Sequence, residues 1–111
     1  MKKSFKVIYS PAAAEDLISI YSYICFKLQA ANAAREQINR IRETVRKLDE
    51  LPERYEAVDW EPWASINIRK SPVENHVVFY SVDNKKRQVI IVRIVYGGRD
   101  INSIINSGSR I

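Results

Sequence analysis

The chain has 111 residues, of which 46% are hydrophobic and 28% charged; this is the composition of one folded domain and excludes a disordered chain. No apolar run has the length of a membrane span, and the lone Cys25 excludes an intrachain disulfide, so we expect a single cytoplasmic domain over residues 1–111 without membrane contact. The net charge of +5 comes from residues 65–111, where eight basic side chains face three acidic ones, which favours a polyanion or an acidic protein as partner over a charge that serves solubility alone.

The first half of the sequence predicts one strand and two helices. Apolar and polar residues alternate over residues 5–9, and Ser10-Pro11 is a typical helix start. A helical stripe follows at spacings of three and four: Ala14, Leu17, Ile18, Tyr21, Ile24, Cys25 and Leu28. A second helix is predicted from Asn32 to Glu50, before Leu51-Pro52, with the stripe Ala34, Ile38, Ile41, Val45 and Leu48.

The second half predicts a loop and three strands. Residues 53–64 have no period, and Trp60 and Trp63 are expected to pack this loop down. The strands are predicted at Ile66–Lys70, His76–Val82 and Gln88–Tyr96, followed by a short helix that begins near Asp100 and carries Ile101, Ile104 and Ile105. The order β-α-α-β-β-β-α predicts an α+β domain, an antiparallel sheet with a helical hairpin packed on one face and a short C-terminal helix.

With this order in place, residues 5–105 resemble the RelE/ParE superfamily of toxins. The first helix carries its pattern at Pro11, Ala13 or Ala14, Asp16, Leu17, Ile20, Tyr23 and Ile24. The second helix ends in the expected Leu48 and Pro52. The strand patterns are matched by Ile68-Arg69-Lys70, by Val77 to Val82 and by Ile91 to Asp100.

The resemblance implies a partner and two alternative activities. The partner is a cognate antitoxin that wraps the toxin and masks its active surface. RelE-like members cut mRNA on the ribosome, without a metal or other cofactor, whereas ParE-like members inhibit DNA gyrase and have no nuclease site. A degenerate toxin that only binds its antitoxin is a third alternative, and a shared fold does not distinguish the three.

If the protein is a nuclease, arginines are the expected phosphate ligands, because the guanidinium fork matches phosphate oxygens and stays charged. The resemblance assigns this role to Arg99, at the end of the last strand, and to the basic pair Arg69 and Lys70. Adjacent strand residues point to opposite faces, so only one of that pair can face the site, and we expect it to be Arg69. Pairing of Arg99 with Asp100 and a solvated edge strand are the structural alternatives.

The proton-transfer groups are less well defined. The tyrosine or histidine that RelE-like members carry about six residues after the arginine is replaced by Ile105. The remaining candidates are Tyr80, Tyr96, His76 and Glu74. We assign the two tyrosines as catalytic and His76 as substrate-binding. Packing is the alternative role of both tyrosines, and a surface position that of the histidine.

Arg93 interrupts the apolar last strand, where it is expected to share a face with Val89, Ile91 and Val95. It is a further substrate-binding candidate. A structural ion pair with Glu15 or Asp16 is the alternative, because a buried arginine needs a partner.

Two observations favour opposite activities. The basic charge of residues 65–111 favours ribosome-dependent mRNA cleavage, with the ribosome and mRNA as partners. The missing C-terminal tyrosine or histidine favours gyrase inhibition. The sequence therefore supports mRNA cleavage as the leading hypothesis, with gyrase inhibition as the alternative.

Overall fold

The computed structural model describes residues 4–97, in which a helical pair follows the first strand and three strands complete a sheet. The strands are β1 (Lys6–Tyr9), β2 (Arg69–Val73), β3 (His76–Asp83) and β4 (Gln88–Tyr96), and the helices are α1 (Pro11–Ser22) and α2 (Ala31–Arg46). A π-helical turn, Tyr23–Lys27, extends α1, and a 3₁₀ turn, Lys47–Asp49, ends α2. The predicted α+β class is confirmed, while the predicted C-terminal helix lies outside the described residues.

The four strands lie in the order β1-β4-β3-β2. β3 pairs antiparallel with both β2 and β4, whereas β1 runs parallel to β4, with Lys6 opposite Gln88. The sheet is therefore mixed, where the sequence indicated antiparallel pairing throughout. Alternation identifies a strand but not its neighbour, and the elements between β1 and β4 supply the long connection that parallel neighbours need.

β2 begins later than predicted, at Arg69 instead of Ile66, and continues through Pro72 to Val73. Ile66 instead ends a 3₁₀ turn. β2 is an outer strand of the sheet, and the loop before it pairs with its outer edge only at the start, where Arg69 bridges to Ala57 and the Lys70 N–H donates to the Glu56 carbonyl. Pro72 lies further along this outer strand, where a residue without an N–H is tolerated.

One face of the sheet is covered by the helices. Four of the five residues in the predicted stripe of α2 are buried, Ala34, Ile41, Val45 and Leu48, and the fifth, Ile38, is half-buried. α1 packs with Ala13, Leu17 and Ile20, so its buried face differs from the predicted stripe. Among residues 4–97, no helix has both the length and the hydropathy of a membrane span.

The opposite face is covered by the loop between α2 and β2. Trp63 and Trp60 contact the ring of Phe79 edge-on, at centroid distances of 4.9 and 6.1 Å. With Val58 and Ile68 they form a second apolar cluster over β3 and β4. The expectation that the tryptophans pack this loop down is confirmed.

Candidate functional site

Arg93 is held at the junction of α1 and β4. Its Nε and Nη2 donate to the carboxylate of Asp16 over 2.8 and 2.9 Å, and the backbone N–H of Ile94 donates to the same group over 2.8 Å. The hydrogen bonds to Asp16 raise the pKa of Arg93 further above its ordinary value, against the effect of burial. The structural alternative, an ion pair with Asp16, is therefore present.

A register shift in β4 explains why Arg93 does not lie as expected. Phe79 is opposite Arg93, but the next residue, Tyr80, is opposite Ile91, so β4 contains one extra residue. Val89 and Ile91 consequently belong to the helix-side cluster, while Val95 belongs to the loop-side cluster. The shared face that strict alternation implies is broken at this bulge.

The basic pair of β2 contacts the preceding loop. Nη1 of Arg69 donates to the carbonyl of Tyr55 over 2.6 Å and to that of Glu53 over 3.2 Å. Lys70 Nζ lies 5.5 Å from the ring centroid of Trp60, a cation–π distance. The two cations contact different parts of the loop, and both contacts hold that loop on the sheet.

Tyr80 is completely buried, and its hydroxyl donates to the carbonyl of Pro52 over 2.6 Å. Burial raises the pKa of this phenol to about 12, although the charge of Arg69 acts in the opposite direction. A phenol with this pKa is a poor general base near neutral pH, because its ionised form is rare there.

His76 and Tyr96 lie together at the ends of β3 and β4. The Nδ1 atom of His76 is 3.1 Å from Nε2 of Gln37, so this ring nitrogen accepts if the amide donates. Burial lowers the pKa of His76, while nearby Glu74 raises it by less. The Tyr96 ring contacts the imidazole edge-on, with the two ring centroids 5.9 Å apart, and Tyr96 is more than half exposed.

These two residues lie in a groove of about 930 Å³ between the helical pair and the ends of β3 and β4. Its lining is largely apolar on the side of α1, whereas α2 contributes polar and charged groups. The residues that line it include Ile20, Tyr23, Ile24, Leu28, Gln37, Arg40, His76, Val95 and Tyr96. Arg40 is bound at the rim by Glu74, with Nε 3.3 Å from a carboxylate oxygen.

Two exposed apolar side chains lie outside this groove, one on α1 and the other on the π-helical turn that extends it. Ile18 is 66% exposed and Phe26 is 71% exposed, and neither lines the groove. We call Ile18 and Phe26 the outer patch. Sequence reasoning assigned Ile18 to a buried stripe and therefore missed this surface; the available signal was that residues 17–28 carry more apolar side chains than one helix face can bury.

Within the described part of the chain, the predicted site residues come together in two separate pairs. His76 and Tyr96 meet in the groove, whereas Arg69 and Tyr80 are opposite each other on β2 and β3, where both bond to carbonyls of the loop that follows α2. Arg69, Tyr80 and Arg93 each hold a structural contact of their own, and Arg99 lies outside the described residues. Over residues 4–97, no group of three or more His, Cys, Asp or Glu side chains could hold a metal ion. The arrangement offers apolar binding surfaces and few free polar groups.

Comparisons with known proteins agree with this architecture. The model of the ParE toxin of the type II toxin–antitoxin system parDE matches residues 7–101. No curated protein matches the chain by sequence.

Solved structures match over most of the chain. A chromosomal ParDE toxin–antitoxin system from Pseudomonas aeruginosa has 21% identity and a TM-score of 0.68, with 84% of this chain and 96% of that chain covered. The RelBE2 complex from Mycobacterium tuberculosis has 15% identity and a TM-score of 0.63, with coverages of 86% and 94%. The archaeal RelE–RelB complex from Pyrococcus horikoshii has 18% identity and a TM-score of 0.58, with coverages of 87% and 99%. At these identities the likeness concerns the fold.

Proposed function

Because the chain belongs to the ParE toxin family of type II toxin–antitoxin systems, we propose that this toxin inhibits growth by binding a target protein, DNA gyrase, and not by cutting mRNA. The observation that carries the proposal is the engagement of Arg69, Tyr80 and Arg93 in contacts that hold the fold together. The toxin acts in the cytoplasm in this proposal, where its target lies.

The chemistry of RNA cleavage explains why those contacts matter. A metal-independent nuclease needs cations that meet the developing phosphate charge and a group that accepts a proton near neutral pH. Arg69 donates to two carbonyls and Arg93 to a carboxylate, so moving either to a phosphate would break internal hydrogen bonds. Tyr80 is buried and bonded to Pro52, which removes it from contact with a substrate.

The outer patch fits the alternative of protein binding. Exposed aromatic and aliphatic side chains supply much of the affinity of protein interfaces when a partner buries them. Ile18 and Phe26 lie on α1 and on the π-helical turn that extends it, away from the groove, and are therefore available for a target protein. The structural relatives described as toxin–antitoxin complexes support a cognate antitoxin as the second partner, and the apolar groove is the surface that we assign to it.

The test compares both activities with the same purified toxin. We expect loss of supercoiling when gyrase and relaxed plasmid are incubated with it, and intact mRNA ends when translating ribosomes are incubated with it. The variant Phe26→Ala should weaken gyrase inhibition by about tenfold or more, since loss of a central interface aromatic costs about 2 kcal/mol. Ile66→Ala, which truncates another exposed apolar residue far along the chain, is the matched control and should inhibit like the wild type.

Messenger RNA cleavage is the second candidate because of one observation. The Tyr96 ring is exposed and lies next to His76 in the groove, at the end of the strand that leads to Arg99. In this case ribosome-dependent cuts should disappear with Arg99→Ala and decrease with Tyr96→Phe, while gyrase is unaffected. Such cuts, together with normal supercoiling, would replace the gyrase proposal by this one.

A further inference from the structure

The outer strand β1 has a side that faces away from the sheet. The Lys6 N–H donates to the Arg87 carbonyl and the Ser10 N–H donates to the Ile91 carbonyl, each over 2.9 Å. In a parallel pair, alternate residues bond to the neighbouring strand. The N–H and C=O groups of the intervening residues, Val7 and Tyr9, therefore point to the open side of β1.

The open stretch is bounded at its beginning. Phe5 also faces outward by this alternation, but its N–H donates over 2.9 Å to the carbonyl of Asp49 in the turn after α2. Ser10 leads directly into α1 at the other end. The open part of the edge is thus short, from Val7 to Tyr9, and can pair with only a few residues of another chain.

A cleft of about 640 Å³ lies beside this stretch. β1 contributes Val7 and Tyr9 to it, and α2 contributes Arg42, Val45 and Arg46 among its lining residues. Side chains of an added strand that point to the helix side would therefore meet α2, because every second residue of a strand points to the same face.

The charged residues that line the cleft are two arginines, Arg42 and Arg46, and one acidic residue, Glu43. Arg42 is exposed, and among residues 4–97 no hydrogen bond or ion pair to a carboxylate holds it. Burial raises the pKa of the Tyr9 phenol, and the positive charge of Arg42 lowers it by a smaller amount. Arg46 adds a second cation, which is paired with Glu43 on the same helix. A free guanidinium next to an open strand edge favours an acidic segment over a neutral or basic one.

We propose that the edge of β1 receives an extended acidic segment of the antitoxin as a fifth strand. The segment exchanges backbone hydrogen bonds with Val7 and Tyr9, and an acidic side chain on its helix-facing side pairs with Arg42. This is strand addition, in which the backbone supplies affinity and the side chains at alternate positions supply specificity. The identity of the partner as an antitoxin rests on the proposed function. The open edge of β1 and the positive charge beside it are independent of that function.

The first experiment uses the wild-type toxin and its antitoxin, which we expect to be a short acidic polypeptide encoded beside the toxin gene. Amide hydrogen exchange by NMR should slow at least about tenfold at Val7 and Tyr9 upon binding, because new hydrogen bonds protect them. A complex that forms while both amides exchange as in the free toxin overturns the inference. If the neighbouring polypeptide does not bind, the antitoxin assignment and the inference fall together.

The second experiment tests the charge. Arg42→Glu should weaken the affinity for this polypeptide by about tenfold or more at low salt, with a smaller effect at high salt. Arg35→Glu is the matched control, since it reverses an exposed arginine on the same helix, away from the cleft, and should leave affinity within about twofold. Equal losses for the two variants indicate general attraction and contradict a site at β1. Gyrase inhibition by the free toxin needs no antitoxin, so the proposed function is judged separately.

Discussion

At the residue scale, Tyr80 separates a structural from a catalytic interpretation. Its hydroxyl is buried and donates to the Pro52 carbonyl, so Tyr80→Phe leaves a buried acceptor without its donor. We expect the free energy of unfolding to fall by about 1–2 kcal/mol, measured by urea denaturation. Growth inhibition should persist at a temperature where the variant is folded. If the Tyr80→Phe protein is folded but not toxic, the hydroxyl takes part in catalysis and the structural interpretation is wrong.

The same phenol makes the stability of the fold depend on pH in the alkaline range. Its pKa is raised by burial to about 12 in the folded chain, from an ordinary value of 10. The neutral form is favoured by folding, so this stability is complete below pH 10 and is lost as the pH rises toward 12. The difference in unfolding free energy between wild type and Tyr80→Phe should therefore shrink over this interval; a difference that is constant to pH 12 would contradict the assigned pKa.

Asp16 is the second residue with a large expected effect. Its carboxylate accepts from two nitrogens of Arg93 and from the Ile94 N–H. Both charged side chains are mostly buried, because only 15% of the Arg93 side chain and 14% of the Asp16 side chain are exposed. Asp16→Ala should lower the free energy of unfolding by about 3 kcal/mol. Glu15→Ala, the exposed neighbour on α1, should change it by less than about 0.5 kcal/mol. Similar small effects for both variants would contradict the ion pair as an anchor of the fold.

His76 gives a direct pH measurement, because it is the single histidine of the chain. Burial lowers its pKa below 6.5. A lowered pKa means that the folded state binds the proton less well than the unfolded state, so this contribution to stability is present above pH 6.5 and is lost as the pH falls through the folded pKa. The imidazole resonance in proton NMR should titrate below 6.5. Titration at or above 6.5 would contradict the buried position.

At the scale of elements, Ser10 connects the first helix with the last strand. Its Oγ accepts from the Ala13 N–H as the N-cap of α1 and donates to the Val92 carbonyl, both over 3.0 Å. Ser10→Ala removes a helix cap and a hydrogen bond to buried backbone, which together should cost about 2 kcal/mol in urea unfolding. Ser22→Ala on the same helix makes a matched control, since Ser22 caps no helix with its side chain, and a loss as large there would contradict the role of the cap.

The elements also illustrate what sequence patterns can and cannot predict. The stripe of α2 was predictable because charged residues occupy the rest of its surface. α1 has apolar residues on several sides, so its period did not reveal that Asp16 faces the sheet while Ile18 faces outward. The identity of Asp16 as a possible partner of Arg93 was predictable from chemistry. The bulge in β4, which decides the face of each residue beyond it, depends on pairing with β3 and leaves no local signal.

The candidate site was less predictable than the fold. A basic residue on a strand indicates a ligand or a structural contact equally well, and the loop carbonyls that receive Arg69 come from residues 53 and 55, which have no periodic pattern. Their position depends on the tryptophans that pack the loop on the sheet. The open edge of β1 depends on strand order, a long-range property that alternation does not encode.

At the scale of the whole molecule, one sheet supports two apolar clusters on opposite faces. Val78 and Tyr80 contribute to the helix side, whereas Phe79 between them contributes to the loop side. Because alternate residues of the same strand serve both clusters, neither can be lost without disturbing β3, and we expect the domain to unfold in a single step.

Two optical probes can test this coupling, because both tryptophans belong to the loop side while the long helices lie on the other face. Tryptophan fluorescence and helical circular dichroism should give the same urea midpoint. Phe79→Leu reduces a buried contact with both tryptophans. It should lower the urea midpoint equally for the two signals and decrease the free energy of unfolding by about 1–2 kcal/mol. If the fluorescence midpoint falls while the helical midpoint stays, the loop opens on its own, and the sheet does not couple its two faces.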